Sequence, residues 1–396
     1  MNAPESLSSD QARKLVLHSQ QLPSPPRKGT ALSATQTALE QLGYIQIDTI
    51  SVVDRAHHHT LWNRNPRYQN SHIDQLLADK SAFEYWSHAA AYLPMRDFRY
   101  SLPRKQAIKS GEQSHWFSRD EKLMGFVSDR IQAEGPLMAK DFEHSGQKTG
   151  EWQSKPAKKA LENLFMQGDL MISRRQNFHK VYDLTERVLP EGIDATVPTE
   201  KEHARFMIRR FMEANGLAQA QDFSYLIKGV KPAILGSLEE MSENGELIRI
   251  QVGELKYFAL PESLVLLNKP LARSKLKILS PFDNLLIQRQ RMRDLFAFDY
   301  QIECYVTASK RKFGYFSLPI LWDGRFVARM DCKAERKTKT LQIRSLHLES
   351  SLRNIDGFRL ALSATLEDFM QFNACEKLDF DESRIFQGHE TLPQKG

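Results

Sequence analysis

Within the stretch LGYIQIDTISVVDRAHHHTLWNRNPRY, residues 42–68, an amide and a carboxylate stand two positions apart, Gln46 and Asp48. Read as a strand, YIQIDTISV sends Ile45 and Ile47 to one face and Gln46 and Asp48 to the other. A carboxylate there can stabilise developing positive charge or act as a base toward water. An amide offers the same water a donor and an acceptor. Arg55 and Arg64 follow closely and would draw phosphate near. A carboxylate beside phosphate is repelled, so keeping one there asks for a chemical reason. The plain alternative is the solvated face of an ordinary strand. The run His57-His58-His59 suggests a metal, but adjacent side chains diverge and no His-x-x-x-His pair or cysteine cluster completes a first shell. No metal and no cofactor is therefore expected. One histidine, His58, is read as facing the cleft, and the other two as packing or capping.

The elements that would position this pair come from a repeated plan. Residues 119–190 and 199–262 each open with an amphipathic helix closed by glycine, RDEKLMGFVSDRIQAEG and EKEHARFMIRRFMEANG. A short helix follows in each, then a third helix introduced by Lys155-Pro156-Ala157 or Lys231-Pro232-Ala233, about 76 residues apart, which is a repeat of whole domains. Proline sits near the favoured first helical position. A two-stranded hairpin ends each unit. The first hundred residues fit the same order less clearly, with YIQIDTISV as the first wing strand. The expectation is an α+β chain: three tandem winged helix-turn-helix units, 1–105, 106–195 and 196–270, followed by a small β-barrel-like subdomain and a C-terminal helix, 271–396. Short strand-like runs such as YQIECYV, with turn signals such as Trp322-Asp323-Gly324, support the last segment.

Winged helices most often meet duplex nucleic acid. The chain carries 55 Lys+Arg against 49 Asp+Glu, an excess that permits a local basic face without demanding one. Candidate phosphate contacts are Arg55, His58 and Arg64 beside the pair; Lys155, Lys158, Arg174 and Arg175 on the second unit; Arg289 and Arg291, on one face with Arg293 if IQRQRMRD is extended; and Lys310, Arg311 and Lys312 at the tip of an expected hairpin, ASKRKFGYF. Each could equally be a solvated charged face. The third unit's helix is rich in glutamate and reads as architectural. Three cysteines without short spacing point to a reducing compartment, taken as the cytoplasm. No apolar run approaches the roughly 18 residues of a membrane span.

At this point the residues resemble a known family. Gln46-Ile47-Asp48 followed by SVVDRAHHHTLWNR, together with SPFDNLLIQRQRMRDLFAFDYQIECYV and YFSLPILWDGRFVARMDCKAER, looks like the AlkZ-like DNA glycosylases, in particular the YcaQ (AlkX) branch. The family motif is Gln-Φ-Asp or Gln-Φ-Gln, which Gln46, Ile47 and Asp48 fill in its Asp form. The resemblance implies tandem winged helices with a C-terminal barrel around a DNA cleft, excision of N7-alkylated purines, and unhooking of interstrand crosslinks in double-stranded DNA. The protein would act as a monomer away from membranes. Two readings rival it: a non-enzymatic winged-helix transcriptional regulator, and a scaffold whose repeats only pack on each other.

Overall fold

The computed structural model describes residues 6–22, 29–145 and 156–387. The chain forms two compact units, one made of Met1–Gln69 with Met207–Gly396 and the other of Asn70–Phe206. One cut falls inside the segment 1–105, the other inside the helix Glu200–Asn215.

In the first unit a helix, Ser9–Ser19, starts at a capping box in which the Ser8 hydroxyl accepts from Gln11 N–H at 3.2 Å and Gln11 Oε1 accepts from Ser8 N–H at 2.9 Å. The helix Ala31–Leu42 is capped by Thr30 and stops at Gly43, whose φ is +80°. A Cβ at Gly43 would lie 2.6 Å from Arg210 Nε, so both conformation and packing call for glycine. The chain then runs as a strand for only Ile45–Gln46. Residues 47–52, expected to continue that strand, are irregular and, with 53–55, lead into the helix Ala56–Arg64.

The C-terminal part of this unit is a six-stranded sheet. Lys277–Ile278, Ser317–Trp322, Arg325–Glu335 and Thr340–Leu348 pair antiparallel in that order. Lys377–Asp379 and Ile385–Gln387 both join Thr340–Leu348 in parallel. The expected barrel is thus an open sheet, because the last two short strands add to the far strand instead of returning to Lys277–Ile278. The helix Ile355–Phe372 packs Phe358, Leu362, Leu366 and Phe369, one helical face, into the core with Ile320, Met330 and Ile343.

Two further expectations change. YQIECYV is not a strand: Tyr300 is buried and donates its hydroxyl to Ser317 O at 2.7 Å, and the Glu303 carboxylate takes the N–H groups of Lys312 at 3.0 Å and Phe313 at 2.8 Å. Side-chain-to-backbone bonds of this kind replace a ladder. Residues 300–316 therefore form a folded loop with one turn at Ala308–Lys310, not a hairpin. The segment Arg289–Phe296 is a helix rather than extended, so arginines two apart are turned by about 200° instead of sharing a face.

The helix Glu200–Asn215, the turn Asp222–Ser224, the helix Lys231–Glu243 and the hairpin Ile248–Val252 with Leu255–Ala259 follow one another, and Ser6–Leu7 pairs in parallel with that hairpin. In the second unit the helix Glu121–Glu134, the strand Leu137–Met138, the helix Pro156–Met166 and the hairpin Leu170–Gln176 with His179–Leu184 repeat the succession. Its core joins Val127, Ile131, Leu161, Phe165 and Ile172 to Phe83, Tyr85 and Phe98. Among the described residues no helix is long and apolar enough to cross a membrane.

Candidate active site

The segment bearing Asp48 is held by residues far along the chain. Tyr44 O accepts from Asn284 Nδ2 at 2.9 Å. Val52 O accepts from Ala334 N–H at 2.9 Å, in the strand Arg325–Glu335. Asp54 N–H donates to Asn373 Oδ1 at 2.8 Å, just past the C-terminal helix, and Val53 is fully buried in the core of the sheet. This irregular backbone therefore has defined partners. Between these anchors Gln46 is buried, with only 9% of its surface exposed, and Asp48 is half-buried. The solvated strand face expected for the pair does not exist as such, since the strand ends between them.

Asp48 Oδ1 accepts the Ile50 N–H at 2.7 Å, a local turn that fixes the carboxylate. No cationic side chain among the described residues forms an ion pair with it. Burial pushes its carboxyl above the usual value, and the Ile50 hydrogen bond draws it part of the way back. Cys304 and Tyr305, in the loop 300–316, lie within its electrostatic reach. Burial raises the Cys304 thiol and the Tyr305 hydroxyl, and the Asp48 carboxylate adds to both shifts. Tyr305, next in sequence to Cys304, is 77% exposed. An aromatic ring presented to solvent within electrostatic reach of a carboxylate is a feature that sequence reasoning missed; the only available signal was the odd polarity of ECYV within an otherwise strand-like run. Elsewhere in the chain the apolar triplet Tyr225-Leu226-Ile227 is exposed. Leu226 is 65% exposed and held at φ +59°, a conformation rare for leucine.

Several of the expected phosphate contacts are committed elsewhere. Arg64 is buried, and all its donors are used: a bidentate pair with Asp283, one arm at 2.8 Å, and bonds to Gln20 O, Gln20 Oε1 and Thr60 O. Arg291 is buried against Leu217 O and Asp222, with Asn215 O at 2.8 Å. Arg175 makes a bidentate pair with buried Glu84 at 2.8 and 2.7 Å. Buried guanidiniums with these partners cannot also reach a phosphate, so these three assignments are withdrawn. His58 is buried with Nδ1 2.7 Å from the Tyr68 hydroxyl, and burial lowers it to about 4, so it is neither a surface contact nor a cation at neutral pH. His59 Nε2 donates to Ile278 O at 2.8 Å; a carbonyl only accepts, so that nitrogen carries the proton. Burial lowers His59 to about 4 as well. Arg55 is half-buried at the head of the helix Ala56–Arg64. Arg311 is half-buried, bonding Val306 O at 2.9 Å and lying over Tyr315. Lys158, Arg174, Arg289, Lys310 and Lys312 are exposed. Lys155 lies outside the described residues.

The family model for DNA glycosylase AlkZ-like proteins matches residues 39–372. This chain belongs to the AlkZ-like DNA glycosylase family. The structure of Streptomyces sahachiroi DNA glycosylase AlkZ is similar in fold to this AlkZ-like protein, with a TM-score of 0.66 over 96% of this chain and 100% of that one, at 14% identity. The family match spans both Asp48 and the loop that carries Tyr305.

Proposed function

We propose that this AlkZ-like protein is a monofunctional glycosylase that hydrolyses the N-glycosidic bond of N7-alkylated purines in double-stranded DNA and unhooks interstrand crosslinks, acting as a monomer. The observation that carries the reading is the Asp48 carboxylate, half-buried, anchored by one backbone N–H and left without a counter-ion among the described residues. An N7-alkylated purine is already cationic and can leave without a protein acid. The sugar that remains is oxocarbenium-like and needs a negative charge and a water, as in other glycoside hydrolyses. Asp48 stabilises that charge and acts as base toward the water; Gln46 positions the water through its amide. Residues 42–68 contain no lysine to form a Schiff base, which supports hydrolysis without strand cleavage.

The two helix-and-hairpin successions serve in this reading as winged helices on the duplex. A crosslinked base stays tied to the opposite strand, so it cannot be swung into a deep pocket. A carboxylate on a loop beside an exposed ring suits that constraint, with Tyr305 available to stack on a neighbouring base. Lys310 and Lys312, exposed on the loop that carries Tyr305, serve in this reading as phosphate contacts. The test is alkali-labile site formation on a duplex carrying N7-methylguanine, with wild type and Asp48→Asn beside each other. The wild type is expected to release the base and the variant to bind without releasing it. A wild type that binds duplex and releases nothing would return the protein to the non-enzymatic DNA-binding class.

A further inference from the structure

A cavity of about 830 Å³ opens in the first unit, built from four segments distant in sequence. They are the first turns of the helix Ser9–Ser19, residues 270–274, the turn at Trp322–Arg325, and residues 351–354 ahead of the C-terminal helix. Its size is within the range of small-molecule sites. Five cationic side chains line it, Arg13, Lys14, Arg273, Arg325 and Arg353, against two carboxylates, Asp10 and Asp323.

The walls are fixed. Asp323 and Gly324 have φ of +50° and +73°, the pair of positive values that closes a tight hairpin turn. Asp10 pairs with Arg13 and, at 2.9 Å, with Arg325, which ties the first helix to that turn. Ser351 Oγ donates to Phe326 O at 2.6 Å, and Asn354 caps the C-terminal helix. Lys14 Nζ donates to Leu267 O at 2.7 Å. The cations share one field: the Asp10 carboxyl is held below its usual value by its hydrogen bond from Arg13, with Arg325 and Arg273 adding to it. Arg353 is exposed and has no ion pair among the described residues.

Between these charges the lining is apolar, with Trp322, Leu271 and Leu352. The Trp322 indole N–H is buried and has no hydrogen-bond partner among the described residues. That nitrogen is shut off from solvent, so Trp322 lines the cavity through its ring and not through this donor. An indole and aliphatic floor under a guanidinium rim matches a ligand with a flat ring and an anionic group.

We propose that this cavity binds a nucleoside phosphate, with its base on the Trp322 and Leu271 floor and its phosphate on Arg273, Arg325 and Arg353. The source is a free mononucleotide or a nucleotide of a DNA strand, and the site is independent of the excision reading.

Isothermal titration of the full chain distinguishes the sources with guanosine monophosphate, inorganic phosphate and a short single-stranded oligothymidylate as probes. One-site binding of the monophosphate, at least tenfold tighter than inorganic phosphate, is expected for a free nucleotide. Binding of the oligonucleotide without the monophosphate assigns the site to a strand. In either case Arg273→Glu and Arg353→Glu, both at exposed positions, should weaken binding roughly ten- to a hundredfold, as loss of a charge-assisted bond does. Their unfolding transitions should match wild type. Trp322→Leu should weaken the nucleoside phosphate while leaving inorganic phosphate unchanged. Inorganic phosphate binding as tightly as the monophosphate, no binding of any probe, or variants that bind like wild type would each overturn the proposal.

Discussion

The loop around Asp48 and the hairpin Leu170–Leu184 treat charge in opposite ways. On the hairpin, Arg175 is locked to buried Glu84, and Lys180 meets Glu162 at 3.0 Å while the Tyr182 hydroxyl donates to the same carboxylate at 2.9 Å. Each of these cations has an internal counter-ion. In the loop, Asp48 has a backbone N–H and, among the described residues, no cation. A row of basic residues is therefore a weak sign of a site, because folding can neutralise it from elements far away. An ionisable group kept half-buried and uncompensated is a stronger one.

The largest effect should come from breaking the neutralised side. Glu84→Gln leaves Arg175 buried without its partner and is expected to destabilise the protein by about 3–5 kcal/mol, read as a lower urea midpoint. A change under about 1 kcal/mol, the ordinary worth of an exposed pair, would mean that Arg175 swings out to solvent and would restore it as a DNA contact. On the uncompensated side, Asp48→Asn should slow single-turnover excision by roughly 10²–10³-fold, in the range of losing one preorganised electrostatic group. Duplex affinity should be unchanged and stability slightly raised. Gln46→Ala should slow excision less. Near-wild-type excision by Asp48→Asn would remove the residue from the chemistry.

The pH dependence sharpens the contrast. Because the folded carboxyl of Asp48 is raised, the excision rate should climb with pH through a midpoint above the ordinary 3.8, a limb absent from Asp48→Asn. The same shift means that Asp48 favours folding only at low pH, and that contribution is lost as pH rises through its folded value. His59 behaves in the opposite sense. Its folded value of about 4 lies below the unfolded 6.5, so stability falls as pH drops from 6.5 toward 4. The slope is at most about 1.4 kcal/mol per pH unit from this one group. His59→Asn, compared by urea unfolding at several pH values, should flatten the profile. The smallest effect concerns the exposed lysines. Lys310→Ala with Lys312→Ala should lower the magnitude of the slope of log K against log salt by about 0.9 for each phosphate no longer neutralised. An unchanged slope would leave that loop as plain surface.

What the sequence revealed was whatever local periodicity and short motifs encode. The helices Glu121–Glu134 and Glu200–Asn215 and the hairpins that follow them were readable from short windows, whereas the strand face expected to carry Gln46 and Asp48 together was not there, because the strand ends between them. What it hid depended on distant partners. Arg64 reads as a surface cation until Asp283 is placed on it, 219 residues away. Residues 44–52 alternate like a strand, yet the backbone bonds of Val52 and Asp54 go to Ala334 and Asn373. Arg289, Arg291 and Arg293 share a face only in a strand, and the segment is a helix. YQIECYV alternates too, but Glu303 turns inward to hold the loop. In each case tertiary structure overrides a local pattern.

The bond between Asp54 and Asn373 joins positions 319 residues apart. A ribosome adding about 5–20 residues per second needs on the order of 15–65 s to travel between them. During that interval the segment bearing Asp48 is already outside the exit tunnel without the residues that shape it. A nascent chain therefore carries Gln46 and Asp48 long before their surroundings are shaped. A transcript cut short anywhere before the C-terminal helix would yield a product with the acidic residue present and the site unmade.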